Sequence, residues 1–346
     1  MQEIVTPLLS WYKENARPLP WRENITPYKV WVSEIMLQQT RIETVRGYYE
    51  RFMAAFPTVE ALAYGDEERV MKLWEGLGYY SRARHLHECA KKICLDYGGV
   101  FPDSAEELRK LPGIGDYTAG AVASLAFNKP EPAVDGNVLR VYARLARCAD
   151  NMGDDKIKSR VREELRALYP EGECAAFTSA LMELGEVVCT PASPDCAACP
   201  LSALCKAHGA GEETAYPCLP PKKPRRVEQR RVLLMLCGDK CAVRKRPDRG
   251  LLAGLWEFPN DEDTSVPEGA EFCGETVHIF THVEWHMRGY ILRTKEELPG
   301  YVWLSRDERR RIAIPSAFRF FQKVLEREEE KGQSGLCPMH SITNPQ

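Results

Sequence analysis

Residues 104–127 read SAEELRKLPGIGDYTAGAVASLAF, and Leu111-Pro112-Gly113-Ile114-Gly115 at the centre separates two helical segments, about Ser104–Leu111 and Asp116–Phe127. Ser104 with Glu107 forms the pattern of a capping box for the first segment. The two glycines let backbone N–H groups approach a ligand closely. The second helix then presents amide donors and its dipole to an anion. A plain helix–helix turn is the alternative reading at this stage.

Working outwards, helical apolar spacing recurs on both sides, in Val30, Trp31 and Ile35 and in Val138, Leu139, Tyr142 and Leu145. Thr26-Pro27 is an N-cap followed by proline in the first turn. Residues 1–215 are therefore expected to form an all-α domain. Residues 216–231, YPCLPPKKPRRVEQRR, are rich in proline and basic groups and read as an exposed linker, 216–229. Its Lys222, Lys223, Arg225, Arg226, Arg230 and Arg231 fit either a solvated tether or phosphate contacts. The periodicity then changes. Val232–Leu236, Ala242–Arg244, Thr276–Phe280 and Arg288–Leu292 predict short strands, with a hairpin at Gly238-Asp239 and a final helix over Ala317–Glu326. The expected architecture is multidomain, with an α+β unit over 230–326 and a disordered tail over 327–346.

The length of 346 residues agrees with two domains. No apolar run reaches the roughly 18 residues of a membrane span, and the N-terminus lacks the features of a signal peptide. A cytoplasmic, monomeric protein without a membrane partner is expected. The formal net charge of −3 weighs against a uniformly basic nucleic-acid binder, but a local basic face can still hold phosphate. Thirteen cysteines are many for a reducing compartment, where disulfides are rare. Four of them, Cys189, Cys196, Cys199 and Cys205, fall in VVCTPASPDCAACPLSALC with the spacing C-x6-C-x2-C-x5-C. Four thiolates so placed can close around a [4Fe–4S] cluster or a zinc ion, and ligand type alone decides between neither.

Two carboxylates stand out. Glu34, in PYKVWVSEIMLQQT, shares a helix face with Trp31, Ile35 and Gln38. Desolvation there would raise its pKa and let it carry a proton near neutral pH; a solvated helical Glu is the bland alternative. Asp135, in EPAVDGNVLRVYARLA, precedes a helix and reads as an N-cap. Held by helix N–H groups, it is expected to have a lowered pKa and to stay ionised, as a developing positive charge on a sugar requires.

The cysteine spacing resembles the iron–sulfur loop of the endonuclease III and MutY branch of the helix-hairpin-helix DNA glycosylases, and LPGIG resembles their hairpin. SEIMLQQT and VDGNV are similar to the MutY form. The resemblance covers roughly residues 5–320. It implies a [4Fe–4S] cluster on the four cysteines and double-stranded DNA as the partner, held by Leu111, Gly113 and Gly115 of the hairpin. It further implies a monofunctional glycosylase that hydrolyses adenine from mispairs with 8-oxoguanine or guanine. By the same resemblance Glu34 is the catalytic acid, Asp135 the stabilising carboxylate and Asn137 its helper. Tyr117 stands where bifunctional relatives carry a nucleophilic lysine, so no Schiff base and no strand cleavage is expected from that position. Gln39 and Tyr79 match residues that wedge into the duplex, and Trp21 and Arg22 match the wall of the adenine pocket. Ser179 departs from the Glu or Gln common in relatives.

The C-terminal part resembles a Nudix-like module through LLAGLWEFP and VHIFTHVEWHMRGY, without an R-E-x-x-E-E helix, so phosphohydrolase activity is not expected. Phe280-Thr281-His282 matches a loop that contacts 8-oxoguanine, with Thr281 keeping a hydroxyl. His282, Glu284 and His286 alternate and could share a strand face as a metal trio. The rival readings are an endonuclease III-like glycosylase with lyase activity, a non-catalytic iron–sulfur DNA sensor, and a Nudix pyrophosphatase.

Overall fold

The computed structural model describes residues 1–221, 224–262 and 265–334. The chain divides into two compact units, one of Met1–Gly65 with Arg82–Lys222, the other of Asp66–Ser81 with Lys223–Gln346.

The first unit is helical. Its central helix, Pro27–Leu37, starts where the Thr26 hydroxyl accepts from the Lys29 N–H at 3.2 Å and Pro27 fills the first turn. From Tyr28 to Met36 every residue except Lys29 is buried, so this helix is enclosed rather than two-faced. It packs on the Asp116–Phe127 helix. In that helix a Cβ on Gly120 would lie 2.4 Å from the Pro132 carbonyl oxygen. This close crossing explains a mid-helix glycine, which otherwise costs roughly 1 kcal/mol. A second core joins the helices Val5–Asn15, Gly136–Ala146 and Cys174–Val187 through Leu8, Val141, Phe177 and Leu184.

The hairpin forms where expected, with a shorter first arm, Ala105–Leu108. The Ser104 hydroxyl accepts from the Glu107 N–H at 3.2 Å, but the Glu107 carboxylate turns to Lys110, so the capping box is half made. Gly113 has φ +72°, and a Cβ there would meet His85 at 2.5 Å. Gly115 caps the second helix in extended backbone with open space beside it. Leu111 is 3 % exposed, so its side chain packs in the core and only the hairpin's backbone can face an external ligand there.

The second unit is built on a seven-stranded sheet: β1 (Arg226–Cys237), β2 (Lys240–Lys245), β3 (Trp256–Glu257), β4 (Asn260–Asp261), β5 (Glu271–Ile279), β6 (Val283–Arg293) and β7 (Val302–Ser305). The order is β3-β2-β1-β6-β5, with β4 also on β1 and β7 on β2. β1 and β6 run parallel from Arg226 opposite Val283 to Leu236 opposite Arg293. The Arg319–Ser334 helix places Phe321 and Leu325 in one core with Trp285 and Met287.

Two sequence-based expectations change. The basic end of the linker is strand: Arg230 is bound to Glu228 at 2.7 Å and Arg231 to Asp261 at 2.9 Å, so neither is a tether group. Lys222 and Lys223 lie outside the described residues. The last helix continues through 327–334, where its charges are paired within the fold, Glu328 with Arg293 at 2.6 Å and Glu329 with Arg306 at 3.3 Å, and 335–346 lie outside the described residues.

The segment Asp66–Ser81 belongs to the sheet unit by direct contacts. Glu68 accepts from Trp256 Nε1 at 3.2 Å, Glu75 accepts from the Ile314 N–H at 2.9 Å, and Lys72 donates to the Ile312 carbonyl at 2.9 Å. At its end the Tyr79 and Thr281 hydroxyls are 2.8 Å apart. Among the described residues no helix is long and apolar enough to cross a membrane.

Candidate active site

A cavity of about 160 Å³ in the helical unit is lined by Trp21, Arg22, Glu34, Tyr117, Asp135 and Asn137, with Ser179 and Glu183 among the other walls. That size, well below the roughly 300–1,000 Å³ of drug-sized pockets, suits one flat heterocycle. Glu34 reaches it from the central helix and is 5 % exposed. Tyr117, in the first turn after the hairpin, donates its phenolic hydrogen to Glu34 Oε2 at 2.5 Å. Burial raises the Glu34 carboxyl to about 7, and the like charge of Asp135 adds to this, while the Tyr117 hydrogen bond and the Arg22 charge pull it down. Burial, then the neighbouring Glu34, hold the Tyr117 phenol far above its usual range, so it remains a neutral donor.

Asp135 caps the Gly136–Ala146 helix as predicted: Oδ1 accepts from the Val138 N–H at 2.8 Å and Oδ2 from Asn137 Nδ2 at 3.1 Å. Its expected low pKa is not found. Burial pushes the carboxyl up and outweighs the Val138, Asn137 and Arg140 contributions that pull it down. The two carboxyls are therefore both raised, and they differ in partners: several donors face Asp135, and one faces Glu34.

The sequence reading missed a buried carboxylate, Glu183, which is 1 % exposed. Arg22 Nη2 donates to its Oε2 at 2.7 Å, Arg17 Nε donates to its Oε1, and Arg22 Nη1 donates to the Arg17 carbonyl at 2.9 Å. Burial would raise this carboxyl, but the two guanidinium groups outweigh it and hold it below the usual range. Arg22 is thus clamped in the pocket wall beside Trp21, whose ring meets Tyr49 edge-on at 5.5 Å. The missed signal was a single acid within the apolar face Phe177, Ala180, Leu181 and Leu184. Removing it by Glu183→Ala strands two half-buried guanidiniums. A loss of about 2 kcal/mol in unfolding free energy is expected, below the roughly 3–5 kcal/mol of a fully buried pair because the arginines keep some water. A denaturant midpoint within error of the parent would refute this.

Other predicted residues lie outside the cavity. Gln39 and Tyr79 are exposed and have φ of +55° and +48°, conformations that non-glycine residues adopt at a cost. The turn at Gln39 is held by Arg82, also missed, whose Nη1 caps the carbonyls of Ile35, Met36 and Gln38 at 2.7, 2.9 and 2.7 Å. In the sheet unit Phe280–His282 forms a tight turn, with the Phe280 N–H on the Val283 carbonyl at 2.8 Å and Thr281 and His282 exposed. Glu284 lies 3.6 Å from His286, but His282 joins them in no three-ligand group among the described residues.

The four cysteines, all free and half-buried, line one small cavity with Arg144, His208 and Glu213. Arg144 organises the loop: it donates to the carbonyls of Thr190, Pro191 and Glu213 at 2.8, 2.8 and 2.7 Å and to Cys189 Sγ at 3.2 Å. One turn earlier Arg140 donates to the Cys189 carbonyl at 2.7 Å and to Asn137 Oδ1 at 2.8 Å. The helix capped by Asp135 is thereby bonded to the loop. Burial, then the Glu213 carboxylate, raises the Cys196 thiol to about 11, and burial, then the neighbouring Cys189, Cys205 and Cys196, raises Cys199 to about 11. Four cysteine sulfurs gathered around one small half-buried cavity fit a site completed by a cationic centre.

Known proteins share these features. The family described as HhH-GPD superfamily base excision DNA repair protein matches residues 32–170, and the NUDIX domain family matches 231–324. Adenine DNA glycosylase from Rattus norvegicus is 35 % identical over 94 % of this chain and 78 % of its own length. The Homo sapiens protein of the same name is 33 % identical over 95 % and 74 %, and that of Buchnera aphidicola subsp. Acyrthosiphon pisum 30 % over 92 % and 95 %. Among solved structures, a thermostable thymine-DNA glycosylase superposes with a TM-score of 0.54 at 29 % identity, covering 60 % of this chain and 97 % of that one. A non-covalent endonuclease III–DNA complex gives 0.52 at 26 %, covering 61 % and 97 %.

Proposed function

Since this chain belongs to the adenine DNA glycosylase family, we propose that its substrate is duplex DNA in which adenine is mispaired with 8-oxoguanine or guanine. The protein is a DNA glycosylase of base excision repair. The observation that carries the mechanism is the buried Glu34 carboxyl, raised to about 7 and tied to Tyr117.

A base inside a duplex is out of reach of a buried carboxyl, so the adenine leaves the stack and enters the cavity. Trp21 and Arg22 form its wall, Arg22 held in place by Glu183. Glu34, whose burial lets it keep its proton close to neutral pH, hands that hydrogen to N7 and turns adenine into a better leaving group. As the C1′–N9 bond breaks, positive charge develops on the sugar. Asp135 is the better hydrogen-bonded carboxyl of the pair, with the Val138 N–H and Asn137 Nδ2 directed at it, and as the anion it stabilises that charge. Glu34, now ionised, accepts a proton from the attacking water, leaving an abasic site. Tyr117 supplies no amine, so the strand remains intact. Backbone amides at the exposed Gly113 and Gly115 would hold phosphate, and Gln39 and Tyr79 would occupy the gap in the stack.

Cys189, Cys196, Cys199 and Cys205 would hold a [4Fe–4S] cluster, which would fix the loop bonded to Arg140 and Arg144 and take no part in hydrolysis. The purified protein should be brown and absorb near about 400 nm; a colourless protein with one zinc per chain would reverse this. The function itself is tested with duplexes carrying adenine opposite 8-oxoguanine, guanine or thymine. Adenine should be released from the first two, and nicking should appear only after alkali. Release from the third alone, or nicking without alkali, would overturn the reading.

A further inference from the structure

In the sheet unit, the helical turn Arg306–Arg309, the start of the Arg319–Ser334 helix and Lys72 border a cavity of about 380 Å³. Six cations line it, Lys72, Arg306, Arg309, Arg310, Arg319 and Lys323, against Glu326 and Glu329. Internal pairing uses half of them. Glu329 is shared by Arg306, at 3.3 Å, and by Arg309. Lys72 is committed to Glu75 and to the Ile312 carbonyl. Arg310 lies 3.9 Å from Asp307 with both side chains well exposed, a pairing worth little in water. Arg319 and Lys323 are exposed, form no salt bridge among the described residues, and stand one turn apart on the same helix face.

One end of this free positive charge lies near the strand that leads into the turn matched, by resemblance, to the damaged base: the Arg319 charge reaches His278, whose ring lies 4.6 Å from Phe280. Phe318, next to Arg319, lies 6.2 Å from the Trp285 ring, and Trp285 lies 5.0 Å from Phe280 of the Phe280–His282 turn. At His278, burial and the Arg319 charge together disfavour the imidazolium. In a chain of net charge −3, uncompensated cations spread along an open groove are a local exception. Arg319 and Lys323, four residues and so roughly 6 Å apart along the helix, suit successive charges of an extended polyanion.

We propose that this groove, with Arg319 and Lys323 as its anchoring cations, takes the phosphodiester backbone of the strand whose base meets the Phe280–His282 turn. The interaction rests on the function proposed above and reads no sequence.

The test titrates duplex binding at several salt concentrations, using a Glu34→Gln background that holds substrate without turning it over. Each phosphate that no longer meets a cation makes the slope of log K against log salt shallower by about 0.9. Arg319→Gln with Lys323→Gln should therefore flatten the slope by about two and weaken binding near 0.1 M salt by roughly tens of fold. In the parent background the same pair should leave single-turnover adenine release at saturating protein unchanged. Lys240→Gln, which removes a lysine paired with Glu297 at 2.7 Å, should leave the slope as it was. An unchanged slope in the double variant overturns the proposal. So does heat protection by inorganic tripolyphosphate that the double variant loses while its DNA slope stays intact, which would assign the groove to a small polyphosphate. Failure of the parent protein to release adenine, with the slope still flattened, would sink the functional reading and leave the groove standing.

Discussion

Glu34→Gln is expected to lower single-turnover adenine release by about 10²–10⁴-fold, the span that a positioned general acid contributes. The amide keeps the volume and still accepts from the Tyr117 hydroxyl, so the pocket survives while the transferable proton is gone. The fold should not suffer. A carboxyl whose folded pKa is about 7 against an ordinary value of 4.5 binds its proton more tightly in the native chain. It therefore contributes stability that is complete below about 4.5 and is lost as pH rises through about 7. The glutamine protein should accordingly unfold no more easily than the parent at pH 8. In the parent, release should be level below about pH 7 and fall tenfold per unit above it, because only the protonated acid works. Retention of a tenth or more of the parent rate by the glutamine variant would remove Glu34 from the chemistry.

Asp135→Asn is expected to cost about 10²–10³-fold in the same assay, the scale on which losing one preorganised stabilising group is felt. Asparagine caps helices as well as aspartate does, so the bond from the Val138 N–H and the melting temperature should be kept. A second readout separates loss of charge from loss of shape. Asp135 is one of the causes that raise Glu34. Without its charge, the alkaline limb of the pH–rate profile should move to lower pH. A limb that stays put, or moves to higher pH, would mean that the two groups do not interact through charge, and the paired mechanism would fall. Because the carboxyls are coupled, the apparent pKa of that limb belongs to the pair rather than to Glu34 alone.

What the sequence made legible was local. Glu34 with its apolar neighbours, the Asp135 cap, the hairpin turn and the four cysteines each lie within a few residues of the signal that announces them. The missed features join distant positions. Glu183 meets Arg22 across 161 residues and Arg17 across 166, and Arg82 caps a helix 44 to 47 residues earlier. Periodicity cannot report such pairings. The Asp135 error has another cause. Its donors could be counted from an N-cap pattern, but the depth at which it is buried could not, and depth decided the direction of its shift. The inward side chain of Leu111 was hidden for a like reason: a hairpin motif names the turn without saying which of its side chains face inward.

The bonds that Asp66–Ser81 makes with the sheet unit bear on how the protein can be dissected. A cut in the proline-rich stretch before β1 divides the sequence neatly but not the cooperative structure. The amino-terminal piece would carry Glu68, Lys72, Glu75 and Tyr79 without Trp256, Ile312, Ile314 and Thr281 to bind them. The carboxy-terminal piece would lack a helix of its own scaffold. A fragment released by protease is thus an incomplete object on either side of the scissile bond. Any catalytic deficit it shows belongs in part to an unmoored tyrosine, and domain-swap chimaeras of this chain should carry residues 66–81 along with the carboxy-terminal half.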